Sequence, residues 1–400
     1  MSQALISQKS KNGSSVIENN GRYWALSNIL DGPIASAIYA NSLWVARPEI
    51  SKTGELYHSK DGKSWSTVTL SDMQLNFVTH ANGLWLAGGY DGMFYSTDGE
   101  TWTKTNISGD CSFATHANGM WVAGGYGGNE YEGLYYSVDG KSWTSTSFPG
   151  SSCNMAEYAN GVWVLSGLSS DTGLYYSTDG MNWTQSNVTT GGFQTITYTD
   201  GLWHAGGYNS GTGLYYSTDG KTWTLSNLPS GKSSFNDYGT YSAITKANGV
   251  WVTGEFGQNN YCTGLYYSTD GKTWTQSNVV SGSFEFIVNA NGLWVAGSNG
   301  NTIYNRGLYY STDGKTWTQS NITSGTVRFV ENANDMWIAG IWDDDDNYKN
   351  CGLYYSMDGK TWIKSNVSDQ GTSFATNANG LWVVSGYDGL YYSTVLCTFT

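Results

Sequence analysis

Charged residues are scarce in this sequence. Asp, Glu, Lys and Arg supply 13% of its 400 residues, where about 25% is usual for a soluble domain. The shortage falls on the cations: 19 Lys and Arg face 32 Asp and Glu, a net charge of −13. An acidic surface repels phosphate backbones and anionic headgroups, so no nucleic-acid partner is expected. Long apolar runs are missing. No stretch nears the roughly 18 residues of a membrane-spanning helix, and no membrane insertion is expected. The opening MSQALISQKSKNGSS lacks the apolar core of a signal peptide. The expectation is a chain made in the cytoplasm that becomes virion-associated or surface-displayed by another route. Proline occurs only 4 times against 52 Gly, a balance that suits tight turns rather than stiff linkers. The five Cys (Cys111, Cys153, Cys262, Cys351, Cys397) are odd in number and form no CxxC. That argues against both a disulfide framework and a zinc knuckle.

Aromatic residues are abundant, at 15% with 19 Trp and 30 Tyr, which is not the composition of a disordered chain. They fall in a repeat. GLYYSTDGKTWTQSN at 264–278 recurs unchanged at 307–321. One Trp series follows an Asn-Gly-type turn: Trp44, Trp85, Trp121, Trp163, Trp203, Trp251, Trp294, Trp337 and Trp382. A second follows Asp-Gly: Trp65, Trp102, Trp143, Trp183, Trp223, Trp274, Trp317 and Trp362. The second series is one short, and the N-terminus supplies the missing member. NGRYWALSN at 20–28 aligns with DGKTWTQSN, so Trp24 completes the set, and only Trp342 stands outside both series.

Each unit reads as four short strands, as in TITYT, LWHAGG, GLYYST and TWTLSN. Asn-Gly and Asp-Gly are strong hairpin signals, with both central residues expected at positive φ. Sheets of four strands repeated about an axis make a propeller. The reading is an all-β chain forming a single β-propeller of nine four-stranded blades, with eight blades and a spare hairpin as the alternative. Residues 1–13 are read as a flexible tail and 14–400 as the propeller. Residues 18–30 are its last blade's outer strand and 372–394 that blade's inner strands. Sharing a blade between the termini closes the ring and removes free sheet edges.

The motif Ser-x-Asp-Gly-x-x-Trp, as in STDGKTW, resembles the Asp-box or BNR repeat of sialidase-like propellers, one residue shorter than the usual form. It recurs eight times across nearly the whole chain. The resemblance implies a structural box whose Asp accepts turn N–H groups while its Trp packs between blades. The residues concerned are Asp61, Asp98, Asp139, Asp179, Asp219, Asp270, Asp313 and Asp358. It does not imply sialidase activity. Such enzymes need an arginine triad, a Tyr–Glu pair and an Arg-Ile-Pro motif. This chain has Arg22, Arg47, Arg306 and Arg328 only, and no Arg-Ile-Pro. The fold hosts many functions and decides none.

Other chemistry is thinly represented, and no catalytic residue is assigned. Glu157 and Glu331 hold matching places before the turn in distant repeats; a glycosidase pair would need the ring to bring them together. The better reading is solvated channel carboxylates. Gly220-Lys221-Thr222 lacks the upstream Gly and following helix of a phosphate loop. His80 and His116 recur at one position of successive repeats, a match that duplication explains more simply than metal binding. Asp343, Asp345 and Asn347 alternate like the start of a calcium loop, but the Gly and distal Glu are missing. A solvated acidic loop is the preferred reading and Ca2+ the weaker one; no other cofactor is expected.

The repeats disagree in one place. Turns one–two and three–four are short and uniform and fall on one end of the ring. Connections two–three and four–one fall on the other end and vary, from GYDG to IWDDDDNYKNCG. A rigid scaffold with diversified loops suits recognition. Their Tyr, Trp, Asn and Asp suit sugars, which stack on rings and hydrogen-bond to amides and carboxylates. The ligand-binding candidates are Tyr126, Tyr131, Tyr208, Asn259, Tyr261, Tyr304, Arg306, Trp342, Asp344 and Tyr348. The expected function is non-enzymatic recognition or attachment to a cell-surface glycan or protein, as in a phage or bacterial surface component. The alternatives are a glycoside hydrolase or lyase with a site at the channel mouth, and a structural subunit docked to other subunits of a virion or other particle.

Overall fold

The computed structural model describes residues 16–394 except 20–21, 30–31, 50–53, 71–73, 91, 126–132, 147–151, 168–171, 208–211, 229–239, 257–261, 299–305, 343–349, 366 and 368–370. The described residues form nine antiparallel sheets and no helix, a nine-bladed β-propeller. The first blade runs Ile34–Ala40, Leu43–Pro48, Glu55–Ser59, Ser66–Thr69, in that order from the axis outward. The next seven repeat it. The last sheet is ordered Thr372–Ala378, Leu381–Gly386, Gly389–Thr394, Arg22–Leu26, Val16–Asn19. The N-terminal strand therefore completes the C-terminal blade, with Trp24 opposite Ser393. Val16–Asn19 adds a fifth strand outside it, which the repeat alignment did not foresee because nothing in the other blades corresponds to it.

First strands of successive blades are neighbours around the axis, and Ile34–Ala40 lies against Thr372–Ala378 to close the ring. The seam is hydrogen-bonded: the Ile34 N–H donates to Ser385 Oγ at 2.8 Å, and Ser373 Oγ donates to the Ile34 carbonyl at 3.1 Å.

Second strands are the most deeply buried, some along their whole length, as in LWLAGG and LWHAGG, because sheets cover both of their faces. Each core cluster draws on two adjacent blades. Leu43, Val45 and Leu56 of the first blade meet Leu75, Val78 and Trp85 of the second. Burying one such side chain contributes roughly 1.5–3 kcal/mol, so the blades adhere through a continuous belt of these clusters.

The one–two turns have the expected geometry: Asn82 at φ 49° and Gly83 at φ 74°. The Asp-Gly connections do not. Only the Gly has positive φ, and the loop from Ser59 to Ser66 is longer than a two-residue hairpin. The carboxylate accounts for the difference. Asp61 Oδ1 accepts the N–H groups of Lys63 and Ser64 at 2.8 Å each, and Ser59 Oγ accepts the Gly62 N–H at 2.9 Å. The same bonds recur at Asp98, Asp139, Asp179, Asp219, Asp270, Asp313 and Asp358. A side chain that satisfies two backbone donors removes the need for a second positive φ.

Candidate functional site

At the uniform end of the ring the recurrent side chains contact one another within and between blades. At the residue before Ala-Asn, rings pack at a tilt against the second-strand Trp of their own blade: Tyr39 and Trp44 at 5.0 Å, His80 and Trp85 at 4.6 Å, His116 and Trp121 at 4.9 Å. Burial lowers the pKa of both histidines. The Asn41 amide donates to His80 Nε2 at 3.0 Å across the blade boundary. Among the described residues no group of three His, Cys, Asp or Glu is placed to hold a metal. His204, fully buried, bridges to the Gly271 carbonyl at 2.6 Å in the next blade, and desolvation pulls its pKa down to about 4. The lysine of Gly-Lys-Thr serves packing: Lys221 Nζ lies 5.7 Å from the Tyr176 ring of the preceding blade, and Lys272 and Lys315 repeat the contact.

The diversified end holds a cavity of about 550 Å³ at the mouth of the channel, within the roughly 300–1,000 Å³ usual for ligand sites. Four blades build it: the seventh, eighth, ninth and first. Its chemistry comes from Arg47, Glu49, Glu285, Arg328, Trp342 and Tyr387.

Two local devices aim these side chains. The first is a β-bulge near the start of the first strand. The register shifts between Phe284 and Phe286, between Val327 and Phe329, and between Ile34 and Ser36. The extra residues are Glu285, Arg328 and Ala35, all in the cavity wall. A bulge turns a side chain out of the pleat, here into the mouth.

The second device places Arg47. Three residues after the second-strand Trp, every other blade has Gly or Ser, from Gly88 to Ser385. A Cβ on Gly88 would meet Phe77 at 2.5 Å, and one on Gly340 would meet Phe329 at 2.2 Å. In the first blade the residue across the ladder from Arg47 is Ser36. A small residue opposite makes room for a large one. Arg47 Nη1 donates to the carbonyls of Pro48 at 3.2 Å and Leu75 at 3.1 Å, while its buried Nε has no partner. Desolvation lowers the guanidinium pKa, and the charge of nearby Glu49 partly opposes this.

Of the sequence-based ligand candidates, the structure places Trp342 in this cavity, with the Arg328 guanidinium 5.7 Å from its ring centre. A Cβ on Gly371 would lie 2.5 Å from Trp342 Cε3, so the ring serves as a wall rather than an open platform. Arg306 stands apart, half-buried before the third strand of the seventh blade, its carbonyl accepting from Gln319 Nε2 at 2.9 Å. Tyr126, Tyr131, Tyr208, Asn259, Tyr261, Tyr304, Asp344 and Tyr348 lie outside the described residues, as do Asp343, Asp345 and Asn347. Glu157 and Glu331 sit in the fourth and eighth blades, nearly across the ring from one another. Partial desolvation raises the pKa of each.

Sequence reasoning missed Arg47, Glu49, Glu285, Arg328 and Tyr387. A signal was present. At the bulge the aligned repeats read Ala35, Asn76, Asn154, Gln194, Glu285 and Arg328, and of these six only the seventh and eighth blades carry a charge.

No protein-family model matches the chain, and no curated protein does. Solved structures do. The computationally designed Ika8 protein superposes with a TM-score of 0.52 at 9% identity, over 92% of this chain and 98% of that one. Sqt1 of Saccharomyces cerevisiae gives 0.51 at 11%, over 92% and 96%. Likeness at such identities shows the propeller fold alone.

Proposed function

We propose that this propeller is a recognition module that binds a cell-surface glycan through its diversified end, as an attachment component of a phage or bacterial surface. One observation carries the reading: the channel mouth on that end holds a cavity lined by Trp342 and Tyr387 beside Arg47, Arg328, Glu49 and Glu285. Aromatic walls with a few fixed donors and acceptors are what a polyhydroxylated ligand requires. The Ser-x-Asp-Gly-x-x-Trp loops support kinship with Asp-box propellers, in which the box is structural.

A second reading, a glycoside hydrolase or lyase, draws support from two carboxylates, Glu49 and Glu285, in the same cavity. One experiment separates them. The purified chain is screened on an array of glycans and bacterial surface polysaccharides, with both retention and released sugar scored. Retention without release, lost in Trp342→Ala, supports recognition. Released sugar supports the enzyme. Silence in both channels shifts the weight to docking within a particle.

A further inference from the structure

We infer that the cavity selects an uncharged sugar over an acidic one; the inference rests on the glycan reading above. The chain carries −13 overall, yet two of its four arginines converge on one cavity from blades on either side of the ninth. Taken alone, they would suggest an anion. They are not alone. Among the described residues the walls hold two guanidiniums, Arg47 and Arg328, and two carboxylates, Glu49 and Glu285. Glu49 acts electrostatically on Arg47 directly. The formal charges of these described walls cancel, so they offer no net attraction to a carboxylate or sulfate, while the acidic chain as a whole repels both.

What remains is a matched set of donors and acceptors. Guanidinium N–H groups only donate and carboxylate oxygens only accept, whereas each sugar hydroxyl does both. Neighbouring hydroxyls on a ring can accept from one wall and donate to the other. Arg47 Nη1 is held by the Pro48 and Leu75 carbonyls, which fixes the guanidinium in the cavity wall as a donor. Tyr387, 52% exposed at the rim, offers a ring face for the C–H side of the sugar. A uronate or sulfated sugar would instead bring a third negative group against Glu49 and Glu285.

The test is calorimetric titration of the purified chain with uncharged hexose and N-acetylhexosamine oligomers, and with uronate-bearing and sulfated oligomers. Each is run at about 50 and about 500 mM NaCl, which bracket strong and weak screening. Uncharged ligands are expected to bind with Kd changing less than about twofold between the two salts. Glu49→Gln and Glu285→Gln each remove a charged acceptor and are expected to weaken binding about tenfold. Unchanged circular dichroism confirms that the variants fold. Binding confined to acidic ligands and weakened by salt overturns the inference and leaves the glycan reading standing. Uncharged ligands bound equally by the wild type and both variants would also overturn it. No binding of any glycan overturns both.

Discussion

The side chain of Asn28 clamps the backbone of Trp65. Its Nδ2 donates to the Trp65 carbonyl at 2.7 Å, and its Oδ1 accepts the Trp65 N–H at 2.7 Å. Asn28 follows the N-terminal strand of the last blade, and Trp65 belongs to the first. The same paired bond joins Asn106 to Trp143, Asn187 to Trp223, Asn227 to Trp274, Asn278 to Trp317 and Asn321 to Trp362. Among the described residues this terminal Asn of the repeat is thus a link between blades. Thr69 and Ser147 stand where the first and third blades would carry it; in the third, Thr146 Oγ1 donates to the Met181 carbonyl of the next blade at 2.6 Å instead.

Asn28→Ala removes both bonds at the seam where the ring closes. The expected cost is about 1–3 kcal/mol for two net hydrogen bonds. It should appear as a lower thermal midpoint by calorimetry. Asn28→Asp keeps the acceptor and loses the donor, so its midpoint should fall between the two.

Gly99→Ala tests the tight approach of box to blade. Gly99 has φ 74°, and its Cβ would lie 2.5 Å from Leu43 Cδ2 of the preceding blade. Positive-φ strain and overpacking together are expected to cost about 2–4 kcal/mol. Gly83→Ala has similar φ but open space around it. Its smaller loss, measured in the same denaturant series, isolates the steric part.

Acid should loosen the ring at its boxes. The turn N–H groups of Thr273 and Lys272, with Ser268 and Thr273 side chains, hold the Asp270 pKa down to about 2 against desolvation. A carboxylate whose pKa is depressed on folding lends stability above its unfolded value, near 3.9, and loses it as pH falls through the folded one. The thermal midpoint should therefore drop between about pH 4 and about pH 2. Asp270→Asn should flatten part of that slope. These boxes are largely exposed, so the contribution of each is small and shared among eight.

Glu255 behaves oppositely. It is 4% exposed and accepts the Thr263 N–H at 2.7 Å and the Thr263 hydroxyl. Desolvation raises its pKa above the ordinary carboxylate range. A raised acid pKa costs stability as pH climbs from the unfolded value through the folded one. Glu255→Gln keeps an acceptor for Thr263 without the buried charge. Its thermal midpoint should exceed that of the wild type at pH 8, and the gap should close near pH 4.

Much of this architecture was legible because it is local. Paired φ values at Asn-Gly turns, the alternation of two Trp series and the unmatched Trp24 depend on short stretches of chain, and they specified nine blades and a shared last blade. The Asp-Gly loops depart from the expected two-residue hairpins because the same dipeptide serves two geometries, and a carboxylate two and three residues from its backbone donors decides between them. The site was less legible. Trp342 is a candidate from the sequence because it lies in a diversified two–three connection, and the structure puts it in the cavity wall. Arg47 needed the knowledge that Ser36 faces it across a ladder, and Glu285 and Arg328 needed the bulges. The sequence by itself determined the repeat, the strand order and the ring's closure, since each follows from contacts within a blade or its copy. Only the tertiary structure decided which residues meet at the mouth. Four blades contribute to it, from Pro33 to Tyr387 along the chain, and no local pattern records which side chains a closed ring turns inward.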